Sequence, residues 1–128
     1  MIEQSLYNAL VGSAAVTALC ANRIYPVQLP EQATMPAIEY QFISAVSAAT
    51  LTSSGMFRTR VQIGCWGNNY GDAASLRAAV LDLLDGYVSP PTDETRIQNS
   101  LIVNAKRDDF DHELLMYRCM CEFYLLHT

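Results

Sequence analysis

Tyr117-Arg118-Cys119-Met120-Cys121-Glu122-Phe123 switches character at every step. A period of two assigns alternate residues to opposite faces of a β-strand. Ile38-Glu39-Tyr40-Gln41-Phe42 and Arg58-Thr59-Arg60-Val61-Gln62-Ile63 do the same. Three such strands predict an antiparallel sheet with one face covered by the core. The other face mixes Glu39, Arg58, Arg60, Gln62, Arg118 and Glu122 with Met116, Met120, Tyr124 and Leu126. That is more apolar than contact with water requires, and it points to a building block that finishes its surface against copies of itself or neighbours.

Working outward, Ile2, Leu6, Ala9 and Leu10 share one face of a helix, with Glu3 in its first turn. Gly12 ends it, and Ser13 caps a second short helix running to about Ala21. Arg23-Ile24-Tyr25-Pro26 through Met35-Pro36 is expected to be an extended connector, because its prolines forbid a helix. Strand one is expected over 36–46 and strand two over 56–66, with Phe57, Thr59, Val61, Ile63 and Cys65 inward. The small, uncharged segment 47–55 between them is too long for a tight turn; it is either a loop ordered by a partner or an extension of the hairpin. The main helix starts at Asp72, carries Leu76, Ala79, Val80, Leu83, Leu84 and Tyr87 on its buried stripe, and ends at Gly86. Strand three covers 96–107 with Leu101, Val103 and Ala105 inward, Asp108–Glu113 forms an acidic tip, and strand four runs to about Leu126 with Leu115 and Tyr117 among its inward residues. The expected fold is α+β: a single domain over residues 1–128, a four-stranded antiparallel sheet of two hairpins, helices on one face, order ααββαββ.

With 128 residues, the chain is one domain that buries roughly two-thirds of its unfolded surface. A hydrophobic share of 51% and a charged share of 16% fit a folded domain, and so low a charge is thin for a monomer's coat. The net charge of −5 disfavours a phosphate-gripping surface, so sequence-specific nucleic-acid binding is not expected. No stretch reaches the ~20 apolar residues needed to cross a bilayer, and the N-terminus lacks the basic start of a secretion signal. Of Cys20, Cys65, Cys119 and Cys121, the last three fall on inward strand positions and read as reduced core thiols, which suits a reducing cytoplasm.

Catalysis finds little to stand on. His112 and His127 read as surface residues outside any ligand motif. Asp108, Asp109, Asp111 and Glu113 miss the oxygen spacing of a calcium loop, and Gly64-Cys65-Trp66-Gly67 lacks the later residues of a phosphate loop. No catalytic, cofactor-binding or metal-ligating residue is assigned. Arg58 and Arg60 either pair with acids in their own sheet, contact another subunit, or touch nucleic acid. Trp66 is either packing or an interface anchor. The interface candidates are Ala48, Thr50, Leu51, Ser54, Arg58, Arg60, Trp66, Arg118, Met120 and Tyr124.

Several stretches resemble the tail-completion (tail-terminator) proteins of tailed bacteriophages and prophages. They are Arg23-Ile24-Tyr25-Pro26, Met35-Pro36-Ala37-Ile38-Glu39-Tyr40, Val61 to Gly67 followed by Tyr70, Ala73 and Leu76, then Asp85-Gly86, and finally Asp111, Leu114, Tyr117-Arg118 and Phe123. The order and spacing hold from about Arg23 to His127. The resemblance implies a non-enzymatic virion subunit, commonly a ring of six, that caps the head-proximal end of a tail tube. Its implied partners are its own copies, the tube protein and the head–tail connector or neck protein, with DNA passing through the ring and no membrane contact. The 47–55 segment and the cysteine-rich last strand depart from the family pattern. Two alternatives stay open: a neck or head-completion adaptor, and a small α+β ligand-binding domain.

Overall fold

The computed structural model describes residues 1–47, 55–93 and 95–128. Among them run α1 (Ile2–Val11), α2 (Ala14–Cys20), β1 (Ile24–Pro26), β2 (Ala37–Ser47), β3 (Phe57–Gly67), α3 (Tyr70–Leu84), β4 (Ile97–Asp111) and β5 (Met116–His127). The sheet is five-stranded in the order β1-β2-β3-β5-β4. β1 lies parallel to β2, and every other pair is antiparallel. The expected four-stranded antiparallel sheet is therefore corrected to a mixed one. The addition is the segment expected to be a connector, whose Ile24–Pro26 pairs with Ile38–Tyr40. Three residues ending on a proline are too few to show a period.

β3 and β5 form the centre, registered residue for residue from Phe57↔His127 to Gly67↔Tyr117. Val61, Ile63, Cys65, Cys119, Cys121, Phe123 and Leu125 point from these two strands into the core at 0–1% exposure. α3 lies across them, with Leu76, Val80 and Leu84 fully buried. Leu83, expected in the same stripe, is only partly buried. α2 packs on α3 and α1 against α2 and β1, adding Leu6, Leu10 and Val16. All helices thus cover one face of the sheet. The cysteines are free and buried, and burial pushes the Cys121 thiol up to about 12.

Local sequence explains the boundaries. Ser13 Oγ accepts from the Val16 N–H, the N-cap expected of it. α3 begins two residues before Asp72, because Asn69 Oδ1 accepts from the Asp72 N–H at 2.9 Å. Gly86 then takes φ +68°, a left-handed turn that glycine makes without strain, and its N–H donates to the Ser100 carbonyl.

Four expectations fail at the second hairpin and the chain's end. Leu101, Val103 and Ala105 are exposed rather than inward, because β4 slips register three times against β5 and loses its two-residue period. Most of the acidic stretch is strand, not tip, since β4 continues to Asp111 and the turn falls at 112–115. Leu115, Tyr117 and Phe57, all expected inward, lie exposed at or beside strand ends. His127 is buried, its Nε2 2.6 Å from Thr59 Oγ1 and its ring stacked on Phe57.

Candidate functional site

The helix-free face of the sheet carries the residues singled out in the sequence, and its register places them in rows. Val46, Arg58, Leu126 and Asn99 form one; Ser44, Arg60, Tyr124 and Leu101 form the next. Gln41, Gln62, Glu122 and Asn104 follow, then Glu39, Gly64, Met120 and Arg107. Arg60 pairs with Glu122 through Nε at 2.9 Å and through Nη2, which raises the guanidinium's affinity for its proton. The Arg58 guanidinium sits 4.6 Å from the centre of the Tyr124 ring. Of the readings open for the two arginines, Arg60 takes the in-sheet pair, whereas Arg58 rests on an aromatic ring and stays exposed.

Lower on the same face, the carboxylate of Glu39 lies over Gly64, where an added Cβ would come within 2.3 Å of Oε1. Arg118 Nη1 stands 3.6 Å from Glu39 Oε1, and its guanidinium lies 5.4 Å from the Trp66 ring. Burial holds the Glu39 carboxyl above its usual range, with the Arg118 charge and the Trp66 N–H pulling the other way. Gln62 and Arg118 both direct N–H groups at Met120 Sδ. Trp66 and Met120 are thus buried within the subunit, at 7% and 1% exposure. A hollow of about 320 Å³ opens beside them, lined by Val27, Leu29, Glu39, Trp66, Asp111 and Arg118 among others. Of its polar groups, Glu39 pairs with Arg118 Nη1 and Asp111 Oδ1 accepts from the N–H groups of Glu113 and Leu114, while Arg118 Nε and Trp66 Nε1 are buried without a hydrogen-bond partner among the described residues.

Among the described residues, no cluster of three or more His, Cys, Asp or Glu could hold a metal ion. Among the same residues, no helix is long and apolar enough to cross a membrane. Ala48, Thr50, Leu51 and Ser54 lie outside the described residues. Two groups of exposed apolar residues lie on the sheet: Ile43, Val46 and Phe57 at one end of the β2–β3 pair, and Leu101, Ile102 and Val103 along β4. Sequence reading missed β4 by assigning it inward. The warning was the run Lys106-Arg107-Asp108-Asp109, since four consecutive charges cannot alternate in and out of a core.

Against this geometry, residues 4–128 match the family described as tail completion protein gp17. The chain belongs to that family. It is a structural component of phage virions, built into the tail. No curated protein matches the sequence. A chain from the structure titled virion of native gene transfer agent (GTA) particle shares the fold, with a TM-score of 0.74 at 16% identity, covering 98% of this chain and 93% of that one.

Proposed function

We propose that this tail completion protein closes into a ring of six at the head-proximal end of the tail tube. There it stops tube polymerisation and offers the docking surface for the head's connector or neck protein. The observation that carries this reading is the family match across residues 4–128, nearly the whole chain. The geometry supports it: ring closure repeats one heterologous contact, which requires two different complementary patches on each subunit. The apolar end of β2–β3 and the apolar edge of β4 are two such patches. On the helix-free face, Arg58, Arg118 and Tyr124 keep enough exposure to reach a neighbour, while Arg60 is held by Glu122. The net charge of −5 suits a channel through which DNA slides without being gripped.

Adding the purified subunit to elongating tube protein tests the proposal. A terminator halts growth at one end and leaves tubes of fixed length. Continued growth at both ends, with binding to the connector instead, would indicate a neck adaptor. Particles assembled without the protein are expected to show overlong tails or unjoined heads by electron microscopy.

A further inference from the structure

The sheet has two open edges, and they face opposite ways. β1 covers β2 only along Ile38–Tyr40, so the stretch Phe42–Val46 has β3 as its one described strand neighbour. At the other end, the segment after α3 covers the start of β4, where the Gly86 and Ser89 N–H groups donate to the Ser100 and Ile97 carbonyls. From Leu101 to Arg107, β5 is the one described strand beside β4. Edge strands of this kind are templates for pairing, and subunits that stay single usually blunt them with proline or charge. Phe42-Ile43-Ser44-Ala45-Val46 contains neither, and Leu101-Ile102-Val103 is wholly apolar.

Resting on the ring reading above, we propose that these edges join copy to copy: the 101–107 stretch of β4 adds alongside 42–46 of the next subunit's β2, continuing one sheet around the ring. Strand directions permit it. β2 is antiparallel to β3, β3 to β5 and β5 to β4, so β2 and β4 run oppositely and a rotated copy meets its neighbour antiparallel. The lengths agree to within two residues, and aligning the two stretches sets the apolar pair Ile102-Val103 beside Val46 and Ala45. Leu101 shares its row with Ser44, so aligning the two free stretches slides each subunit by about three residues, or roughly 10 Å, along the strands. Closing a sheet into a barrel demands a stagger of this kind. On β2 the joint is bounded where β1 ends at Pro26 opposite Tyr40; within it, β2 bulges between Phe42 and Ser44 and β4 on either side of Asn104, with Lys106 and Arg107 at its far end.

Disulfide trapping tests the joint. Within one chain β2 and β4 are three strand spacings apart, about 14 Å, too far for a disulfide. Val46→Cys is combined in turn with Leu101→Cys, Ile102→Cys and Val103→Cys. The expected result is that at least one pair, oxidised in assembled protein or in tails, gives a ladder of covalent multimers up to the full ring, while each single variant gives none. The buried native thiols do not compete. A ring visible by light scattering or microscopy but without any ladder overturns the edge joint and leaves the ring standing. Protein that stays monomeric alone and in the presence of tube protein overturns both. As a second measurement, Ile102→Lys is expected to keep the wild-type melting temperature and lower ring formation at least tenfold; unchanged assembly would contradict the joint.

Discussion

Arg77 of α3 donates through Nη1 to Asp108 Oδ1 of β4 at 2.5 Å, and Tyr70 O–H donates to the same carboxylate at 2.9 Å. Arg77 is buried while Asp108 is half exposed, so the pair fastens the helical layer to an otherwise exposed edge strand. The Arg77 guanidinium and then the Tyr70 hydroxyl hold the Asp108 carboxyl below its usual range. A depressed folded-state pKa means that the stabilisation is present above the unfolded value and is lost as pH falls through the folded one.

Asp108→Asn is therefore expected to cost about 1 kcal/mol at neutral pH, a modest figure because solvent screens the exposed acid. The difference from wild type should vanish as acid protonates Asp108. Melting temperatures of both proteins from about pH 7 down to about pH 3 check this. A gap that stays constant across that range would show that the charge contributes nothing.

The core prediction separates neighbours on α3. Leu84 is fully buried, while Leu83 is only partly so. Leu84→Ala is expected to cost about 2–5 kcal/mol and Leu83→Ala about half of that or less, measured by urea denaturation. Equal losses would mean that the helix is rotated relative to the sheet.

How much of this was legible in the sequence follows from how regularly each strand is used. β3 and β5 have neighbours on both sides and a core on one face, so their alternation is clean and their inward residues were readable except at the strand ends, where Phe57 and Tyr117 are exposed. β4 has β5 as its one described strand neighbour and three register slips, so its apolar residues carry no reliable phase. β1 is recognised by its pairing alone. His127 was misread because chain ends are usually solvated. Here β5 continues to His127, and the Thr128 N–H donates to the Arg96 carbonyl. The ion pair of Arg60 with Glu122 was one of the readings open in the sequence, whereas the buried carboxylate of Glu39 required the structure.

Arg58 gives a test of the helix-free face. It is exposed and rests on Tyr124, so Arg58→Glu is expected to change stability by no more than about 0.5 kcal/mol. If that face meets a neighbour in the ring, the reversed charge should weaken assembly and make it more dependent on salt. Sedimentation velocity at two salt concentrations reads both effects. An unchanged oligomer distribution would remove Arg58 from the interface.

At Gly64 of β3, the space a side chain would fill is taken by the Glu39 carboxylate. An alanine Cβ there would meet Glu39 Oε1 at 2.3 Å and Glu39 Cδ at 3.0 Å, with Arg118 Cδ at 3.4 Å. Glu39 can withdraw only by leaving its place over Gly64, which parts it from Arg118. Gly64→Ala should therefore destabilise by about 1–3 kcal/mol despite alanine's better strand propensity. Shortening Glu39 removes the clash, so the double variant Gly64→Ala/Glu39→Ala should lose less than the sum of the two single variants, with a coupling of at least about 0.5 kcal/mol. Strict additivity in denaturant unfolding would show that the carboxylate moves aside freely and that the glycine is there for another reason.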